Sequence, residues 1–316
     1  MNELSEERFR SLTRLFYFDR DPESIKNDYG KALLIGSSSS YPLSILIASL
    51  LAEKTGAGYI ALSSPSSVSK VIQNRMPLTE IYVPMEGEGD DFSSLGLAEK
   101  VSPFSSVLFG NGVKESGNNK LFLEQLLKTA KGTLVLDAGA LAILSSSPEI
   151  LKERNPSLSV VLTPHLGEAK KLLKSGVSSR NGEDYLEEAL SFAETYGVDV
   201  LLKSSKSYLV AKDGSTYAGD SIPTPSLAKA GSGDGLAGYL VGLLAYGRKE
   251  ASLEEIILYA DSMIHKAARA AENELGPWPC LDPIRSSVSS ICCSAGKETF
   301  LRKENYPTEA CRCFFR

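Results

Sequence analysis

Short, nearly unbroken apolar runs recur along the chain and alternate with segments of helical period. The runs KALLIG (31–36), YIALSS (59–64), EIYVP (80–84), SSVLFG (105–110), TLVLDAG (133–139), SVVLTPH (159–165) and DVLLKSS (199–205) predict strands. Between them, SILIASLLAEKTG (44–56), NKLFLEQLLKTAKG (119–132) and EDYLEEALSFAETYG (183–197) carry apolar residues at helical spacing and end at glycine. SYLVAKDGSTYAGD (207–220) reads as a hairpin turning at Asp213-Gly214. SLEEIILYADSMIHKAARAAENELG (252–276) reads as a long helix, with Ser252 as N-cap and Glu255 three residues on.

Strands alternating with helices predict an α/β fold, a mostly parallel central sheet flanked by helices on both faces. Such sheets bind ligands at the carboxyl ends of their strands. Gly36-Ser37, Gly110-Asn111-Gly112, Asp137, Thr163-Pro164-His165 and Lys203 all fall at those ends. No internal repeat appears, and no interdomain linker before about residue 280. The expectation is one domain over 1–290 and a Cys-containing, poorly ordered tail over 291–316.

Composition narrows the picture. Of 316 residues, 42% are hydrophobic and 23% charged, as in soluble globular proteins. The net charge is -5, and no block is dense in Lys and Arg, which argues against an extended nucleic-acid footprint. No apolar run reaches the ~18 residues of a membrane span. The N-terminus MNELSEERFRSLTRLF is charged and amphipathic, without a signal-peptide core, so a cytoplasmic protein is expected. Four of the five cysteines (Cys292, Cys293, Cys311, Cys313) crowd into the tail, without the spacing of a zinc site or the spread of a disulfide framework.

The richest chemistry lies in KAGSGDGLAGYLVGLLAYG (229–247). It is neither a Walker loop nor a dinucleotide fingerprint, since Leu236 stands where GxGxxG needs glycine. The fingerprint does occur at Gly56-Ala57-Gly58-Tyr59-Ile60-Ala61, but it follows a helix and leads into a strand, the reverse of the required order. Gly231, Ser232 and Gly233 can turn their N–H groups toward one point, because glycine tolerates the backbone angles and lets an anion approach. A helix beginning near Asp234 adds free N–H groups and a positive dipole end. Asp234 either accepts a proton from a substrate hydroxyl or caps the helix. Gly235 and Gly238 suit close packing.

The histidines and the remaining polar strand ends have paired readings. His165 contacts a ligand or forms a structural turn. Glu168 orients His165, holds magnesium-linked water, or complements the helix dipole. His265 packs in mid-helix. Asp137 ends an apolar strand in a position that favours function. Lys203 meets a nucleotide phosphate or caps the sheet edge. The Glu/Lys run at 183–194 is a solvated helix face.

LAKAGSGDGLAGYLVGLLAYG resembles the anion-hole motif of ribokinase-like proteins, in the variant of the ADP/ATP-dependent NAD(P)H-hydrate dehydratase family. ALLIGSSSSYPLSILIASLLAEKTGAGYIAL resembles that family's N-terminal strand–helix–GAG–strand unit. LFGNGV stands where the family has Gly-Pro-Gly, LDAGAL resembles Asp-Ala-Asp-Ala-Leu, VLTPHLGEAKKLL is close to Thr-Pro-His-Pro-Gly-Glu, and VLLKSSKSYLVAKDG fits a Leu-Lys-Gly strand and hairpin. The resemblance spans about residues 28–285. Leu43-Ser44 replaces Gly-Ala, Asn111 the turn proline, Gly139 the second Asp, Leu166 the second proline, and Ser204 the glycine after Lys203.

The resemblance implies a ribokinase-like fold and repair of hydrated NADH or NADPH: a nucleotide phosphorylates the ring hydroxyl, and phosphate then leaves. It implies Asp234 as base, with Gly231, Ser232 and Gly233 as the anion hole. Lys203, Ser204, Ser205, Lys206, Ser207 and Gly233 would bind the nucleotide. Ser44, Gly112, His165 and Asp234 would bind the hydrate, supported by Asp137 and Glu168. It further implies ADP or ATP as co-substrate with Mg2+, ADP being the favoured donor, and a homo-oligomer. A separate epimerase would act on the same metabolite, since little chain precedes the first strand. Two other readings stand beside it. One is a kinase of a small vitamin-type alcohol (a thiazole or pyridoxal compound), kept open by Gly139 and Ser204. The other is a catalytically silent nucleotide-binding homologue.

Overall fold

The computed structural model describes residues 2–247, 250–277 and 285–291. Ten strands form one sheet: β1 (Asn2–Glu3), β2 (Lys31–Ile35), β3 (Tyr59–Ser63), β4 (Ile81–Tyr82), β5 (Ser106–Phe109), β6 (Thr133–Leu136), β7 (Ser159–Leu162), β8 (Asp199–Leu202), β9 (Tyr208–Val210) and β10 (Thr216–Ala218). Their spatial order is β1-β10-β9-β8-β7-β6-β5-β2-β3-β4. From β4 to β8 every neighbouring pair is parallel. The hairpin β9–β10 continues the sheet antiparallel, and β1 closes its edge parallel to β10.

The unbroken apolar runs have a physical reason: successive strand residues feed two different cores. Ala32, Leu34, Leu108, Val135, Val161 and Leu201 belong to one buried cluster, whereas Leu33, Ile35, Val107, Phe109, Leu134 and Val160 belong to the other. A parallel sheet covered on both faces needs both sets. The first cluster is covered by α1 (Glu6–Tyr17), α2 (Ser44–Ala52), α3 (Ser69–Gln73), and two later helices, α9 (Ser232–Tyr246) and α10 (Leu253–Leu275). The second is covered by α4 (Leu97–Val101), α5 (Gly117–Thr129), α6 (Gly139–Ser146), α7 (Leu166–Leu172) and α8 (Leu186–Tyr196).

Helix α9 is apolar around its whole circumference because it is the central helix of its layer, buried from Gly235 to Ala245. The long helix α10 starts with the capping box read from its sequence: the Ser252 hydroxyl accepts from Glu255 N, and the Glu255 carboxylate accepts from Ser252 N.

Two expectations need correction. The strand 133–139 stops at Leu136, and Gly139 opens α6; its N–H donates to Gly110 O at 3.0 Å. The strand 159–165 stops at Leu162, and His165 caps α7. The charged N-terminus is part of the fold: Phe9, Leu12 and Phe16 recur on one face of α1 and are buried. The tail expected over 291–316 lies, apart from Ile291, outside the described residues, as do all five cysteines. No helix among the described residues is long and apolar enough to cross a membrane.

Candidate active site

Five parallel strands, β2, β5, β6, β7 and β8, end along one edge of the sheet and deliver Gly36-Ser37, Gly110-Asn111-Gly112, Asp137, Thr163-Pro164-His165 and Lys203 there. The start of α9 faces the same edge. Gly231 is its N-cap, with φ +93°, a left-handed conformation that costs an L side chain energy and glycine none. No side chain caps this helix start. Ser232 N donates to Lys229 O at 3.3 Å and Gly235 N to Gly231 O at 2.9 Å, while the intervening N–H groups of Gly233 and Asp234 have no side-chain cap. The Ser232 hydroxyl is tied back to Leu227 O at 2.7 Å and Lys229 O at 2.8 Å, which fixes the turn.

Asp234 does not cap its helix. Its Oδ1 accepts from Asn111 Nδ2 at 2.6 Å. Burial pushes the Asp234 carboxyl up to about 6; the Asn111 amide opposes this, Asp137 adds to it, and Lys203 and the nearby Ser44 hydroxyl oppose it. Asn111 also reaches Asp137 Oδ2 at 3.3 Å, and Lys203 Nζ pairs with Asp137 Oδ1 at 2.7 Å. A Cβ added to Gly233 would stand 3.4 Å from Lys203 Nζ, so the helix turn and the ion pair are immediate neighbours. Ser44 begins α2 and borders Gly112: a Cβ there would meet Ser44 Oγ at 3.0 Å. Ser44, Gly112, Asn111, Asp137, Lys203, Gly233 and Asp234 thus form one constellation.

Strain is concentrated at the same edge. Ala138, between Asp137 and α6, has φ +46°, and Ser37 has φ +74°. Both are unusual for residues with side chains and mark junctions that the surroundings hold in place. Gly139 has a packing reason: a Cβ there would lie 2.1 Å from Val113 O. An aspartate at this position does not fit the present backbone.

Beside the constellation lies a cavity of about 550 Å³. Lys203, Ser204, Ser205, Ser207 and Gly233 line it, together with an apolar wall of Pro223, Pro225, Leu227, Leu236 and Ile264. Lys206 is outside this lining and lies over the Tyr208 ring at 5.4 Å. His165 borders this cavity rather than the Ser44–Gly112 side. Its Nδ1 accepts from Gly167 N at 3.0 Å and Glu168 N at 3.3 Å, while Glu168 Oε2 accepts from His165 N at 2.9 Å. His165 is therefore a helix cap whose ring stays open to the cavity. Burial raises Glu168 above the usual carboxylate range, and the Lys203 cation opposes this.

Three residues of this region escaped the sequence reading as site groups. Asn111 registered as part of a polar strand end and as the replacement of a turn proline, but was given no role of its own. Asp261 and His265, four apart on one face of α10, wall the cavity. His265 is buried as expected, with Nδ1 3.1 Å from Thr224 Oγ1, yet it also borders open space. The i,i+4 spacing of an aspartate and a histidine on an apolar helix face was the available signal. Among the described residues no three His, Cys, Asp or Glu side chains converge as metal ligands.

Comparison with known proteins gives the site a context. The profile of the NAD(P)H-hydrate dehydratase family matches residues 32–283. The ADP-dependent (S)-NAD(P)H-hydrate dehydratase of Xanthomonas campestris is 30% identical, covering 72% of this chain and 76% of that protein. The bifunctional NAD(P)H-hydrate repair enzyme of Salinibacter ruber is 31% identical over 75% of this chain, which spans 44% of that longer protein. Two solved structures share the fold. One is the Bacillus subtilis ADP/ATP-dependent NAD(P)H-hydrate dehydratase co-crystallized with ATP/Mg2+, at TM-score 0.71 and 24% identity, covering 94% of this chain and 98% of that one. The other is a ribokinase-like superfamily protein of Enterococcus faecalis, at TM-score 0.73 and 20% identity, covering 93% and 96%. The sheet and its helical layers are ribokinase-like.

Proposed function

The chain belongs to the NAD(P)H-hydrate dehydratase family, and from that premise we propose that it restores NADH or NADPH from their hydrates at the expense of ADP or ATP. The observation that carries the reading is the juxtaposition at the start of α9. An uncapped helix N-terminus adjoins a carboxyl whose burial pushes it up to about 6 and a half-buried lysine paired with Asp137.

The chemistry follows from these groups. Hydroxide is a poor leaving group and phosphate a far better one. Asp234 accepts the proton of the ring hydroxyl, and the freed oxygen attacks the terminal phosphorus of the nucleotide, which departs one phosphate shorter. Loss of inorganic phosphate together with a ring proton restores the double bond. A base whose pKa lies just below the working pH is ionised and still basic enough to serve. The N–H groups of Gly231 to Gly233 would stabilise charge on the transferring group, being aimed before the reaction begins. The nucleotide would occupy the 550 Å³ cavity with its base on the proline–leucine–isoleucine wall and its phosphates toward Lys203 and Gly233. The hydrate would enter on the Ser44–Gly112 side, whereas His165 borders the nucleotide cavity.

Magnesium has no protein cage among the described residues. It would enter as the nucleotide's own ion, held by phosphate oxygens and water, as is usual for Mg2+. A homo-oligomer and a separate epimerase supplying the reactive epimer belong to the same proposal.

The test is direct. Hydrated NADH is incubated with the protein, ADP or ATP, and magnesium, and the reduced-nicotinamide absorbance is followed. Recovery with either nucleotide supports the proposal. Absence of recovery with both, alongside a stable phosphorylated product from a small alcohol, replaces it with a kinase. Nucleotide binding without any turnover replaces it with a silent homologue.

A further inference from the structure

Asn111 stands where the resembling family carries a proline, and its side chain is fully buried between two carboxylates. The turn around it holds it there: Gly110 and Gly112 have φ +130° and +70°, and Asn111 O accepts from Ser37 N at 2.7 Å. The amide orientation is settled by charge. With Nδ2 toward Asp234 Oδ1 and Asp137 Oδ2, both of its hydrogens meet carboxylate oxygens. The reversed amide would set Oδ1 against two anions. Its Oδ1 is buried without a partner, an arrangement that costs stability by itself.

These contacts make one chain of groups, Lys203–Asp137–Asn111–Asp234, running across strands β8, β6 and β5 to the start of α9. The charged groups acting on Asp234 are Asp137, which disfavours its ionised form, and Lys203, which favours it. Asn111 carries no charge, but it donates directly to Asp234. A proline in the same turn has no side-chain donor.

We infer that Asn111 is a positioning residue that couples Asp137 to Asp234 and keeps the Asp234 carboxylate ionised and oriented as the base. Burial drives that carboxyl toward protonation, and the Asn111 amide is the strongest opposing influence. Removing it would leave Asp234 buried beside Asp137 and partly protonated at neutral pH. The kinetic consequence rests on the dehydratase reading; the electrostatic one does not.

The experiment therefore has two arms, using Asn111→Ala and the near-isosteric Asn111→Leu, which also removes the orphaned oxygen. In the first, carboxyl-13C NMR of aspartate-labelled protein follows the Asp234 resonance, identified by its absence in Asp234→Asn. Its midpoint is expected to rise by about one pH unit in both variants. In the second, the acid limb of kcat against pH moves up by the same amount, with about fivefold lost at pH 6 and little change in nucleotide KM. An unmoved midpoint in a folded variant overturns the inference, as does a kcat loss equal at every pH. If the wild-type protein does not turn over hydrate, the dehydratase reading fails and the NMR midpoint alone decides the role of Asn111.

Discussion

Lys203 Nζ lies 2.7 Å from Asp137 Oδ1, with the lysine side chain 17% and the aspartate side chain 3% exposed. The pair joins the end of β8 to the end of β6, and Gly233 of α9 is packed beside it. It thus ties two strand ends to the helix start that presents Asp234.

Breaking that pair from one side should be costly. Lys203→Met leaves Asp137 buried with an uncompensated charge, and removal of one partner of a buried pair typically costs about 3–5 kcal/mol. The double variant Lys203→Met/Asp137→Asn removes both charges and should recover a large part of that loss. Urea unfolding of the two single variants and the double one gives the coupling energy directly. Additive effects would show that the pair contributes no mutual stabilisation. Nucleotide affinity should fall in both lysine variants, since Lys203 also lines the cavity.

Much of this arrangement was legible in the sequence because the parallel sheet is buried on both faces. Its strands therefore read as apolar runs, and their carboxyl ends read as polar punctuation. Glycine stops and the Ser252–Glu255 box were equally local signals. The misreadings are of another kind. In LDAGA and TPHLG, the change from strand to helix is made by a strained Ala138 and by a capping His165, neither of which interrupts the apolar pattern as a polar turn does. The partners of Asn111 lie 26 and 123 positions away, and Lys203 is 66 positions from Asp137. No local period carries such pairings. Residue type alone therefore located the polar edge without saying which group holds which.

Asp234→Asn should abolish turnover while sparing nucleotide affinity, and it should also stabilise the fold. The carboxyl is raised from 3.8 to about 6 chiefly by burial, so the folded state disfavours its charge. Wild-type stability therefore declines as pH rises from about 4 to about 6, and the deficit persists above that. The asparagine escapes it. The gain should be about 3 kcal/mol at pH 7.5 and vanish below pH 4. Paired denaturation curves at those pH values check this, and wild-type kcat should fall as pH drops through 6. An active Asp234→Asn protein would refute the base assignment.

Glu80 offers a control far from the site chemistry. Its carboxyl oxygens are sealed from solvent at the edge of the sheet beside β4, with Ser49 nearby. Burial, reinforced by repulsion from Glu53, pushes the group up to about 8. A raised carboxyl pKa means stability is lost as pH climbs from about 4.5 to 8. Glu80→Gln should therefore stabilise by less than about 1 kcal/mol at pH 5 and by about 4–5 kcal/mol at pH 8.5, with turnover unchanged. Equal stability differences at both pH values would refute the raised titration.

Two glycines of α9 separate the chemistry of its start from the packing of its body. Gly231 has φ +93°, and the Gly231→Ala variant must hold a left-handed alanine or shift the turn. That conformation costs about 1–2 kcal/mol, and any shift re-aims the N–H groups proposed to receive the transferring phosphoryl group. Gly238 is different. A Cβ there would lie 2.0 Å from Ala48 O, so Gly238→Ala forces α9 away from α2. Overpacking of this kind typically costs about 1–3 kcal/mol. The same displacement also acts on the site, because α2 begins with Ser44 and α9 carries Asp234 in its first turn. Gly231→Ala should therefore lower kcat at least tenfold with a small change in Tm. Gly238→Ala should lower Tm by several degrees and weaken hydrate binding more than nucleotide binding, as the Ser44 side opens. Measuring Tm, kcat and both KM values for the two variants checks the division. Identical profiles would mean that the helix start and the helix body answer to the same constraint.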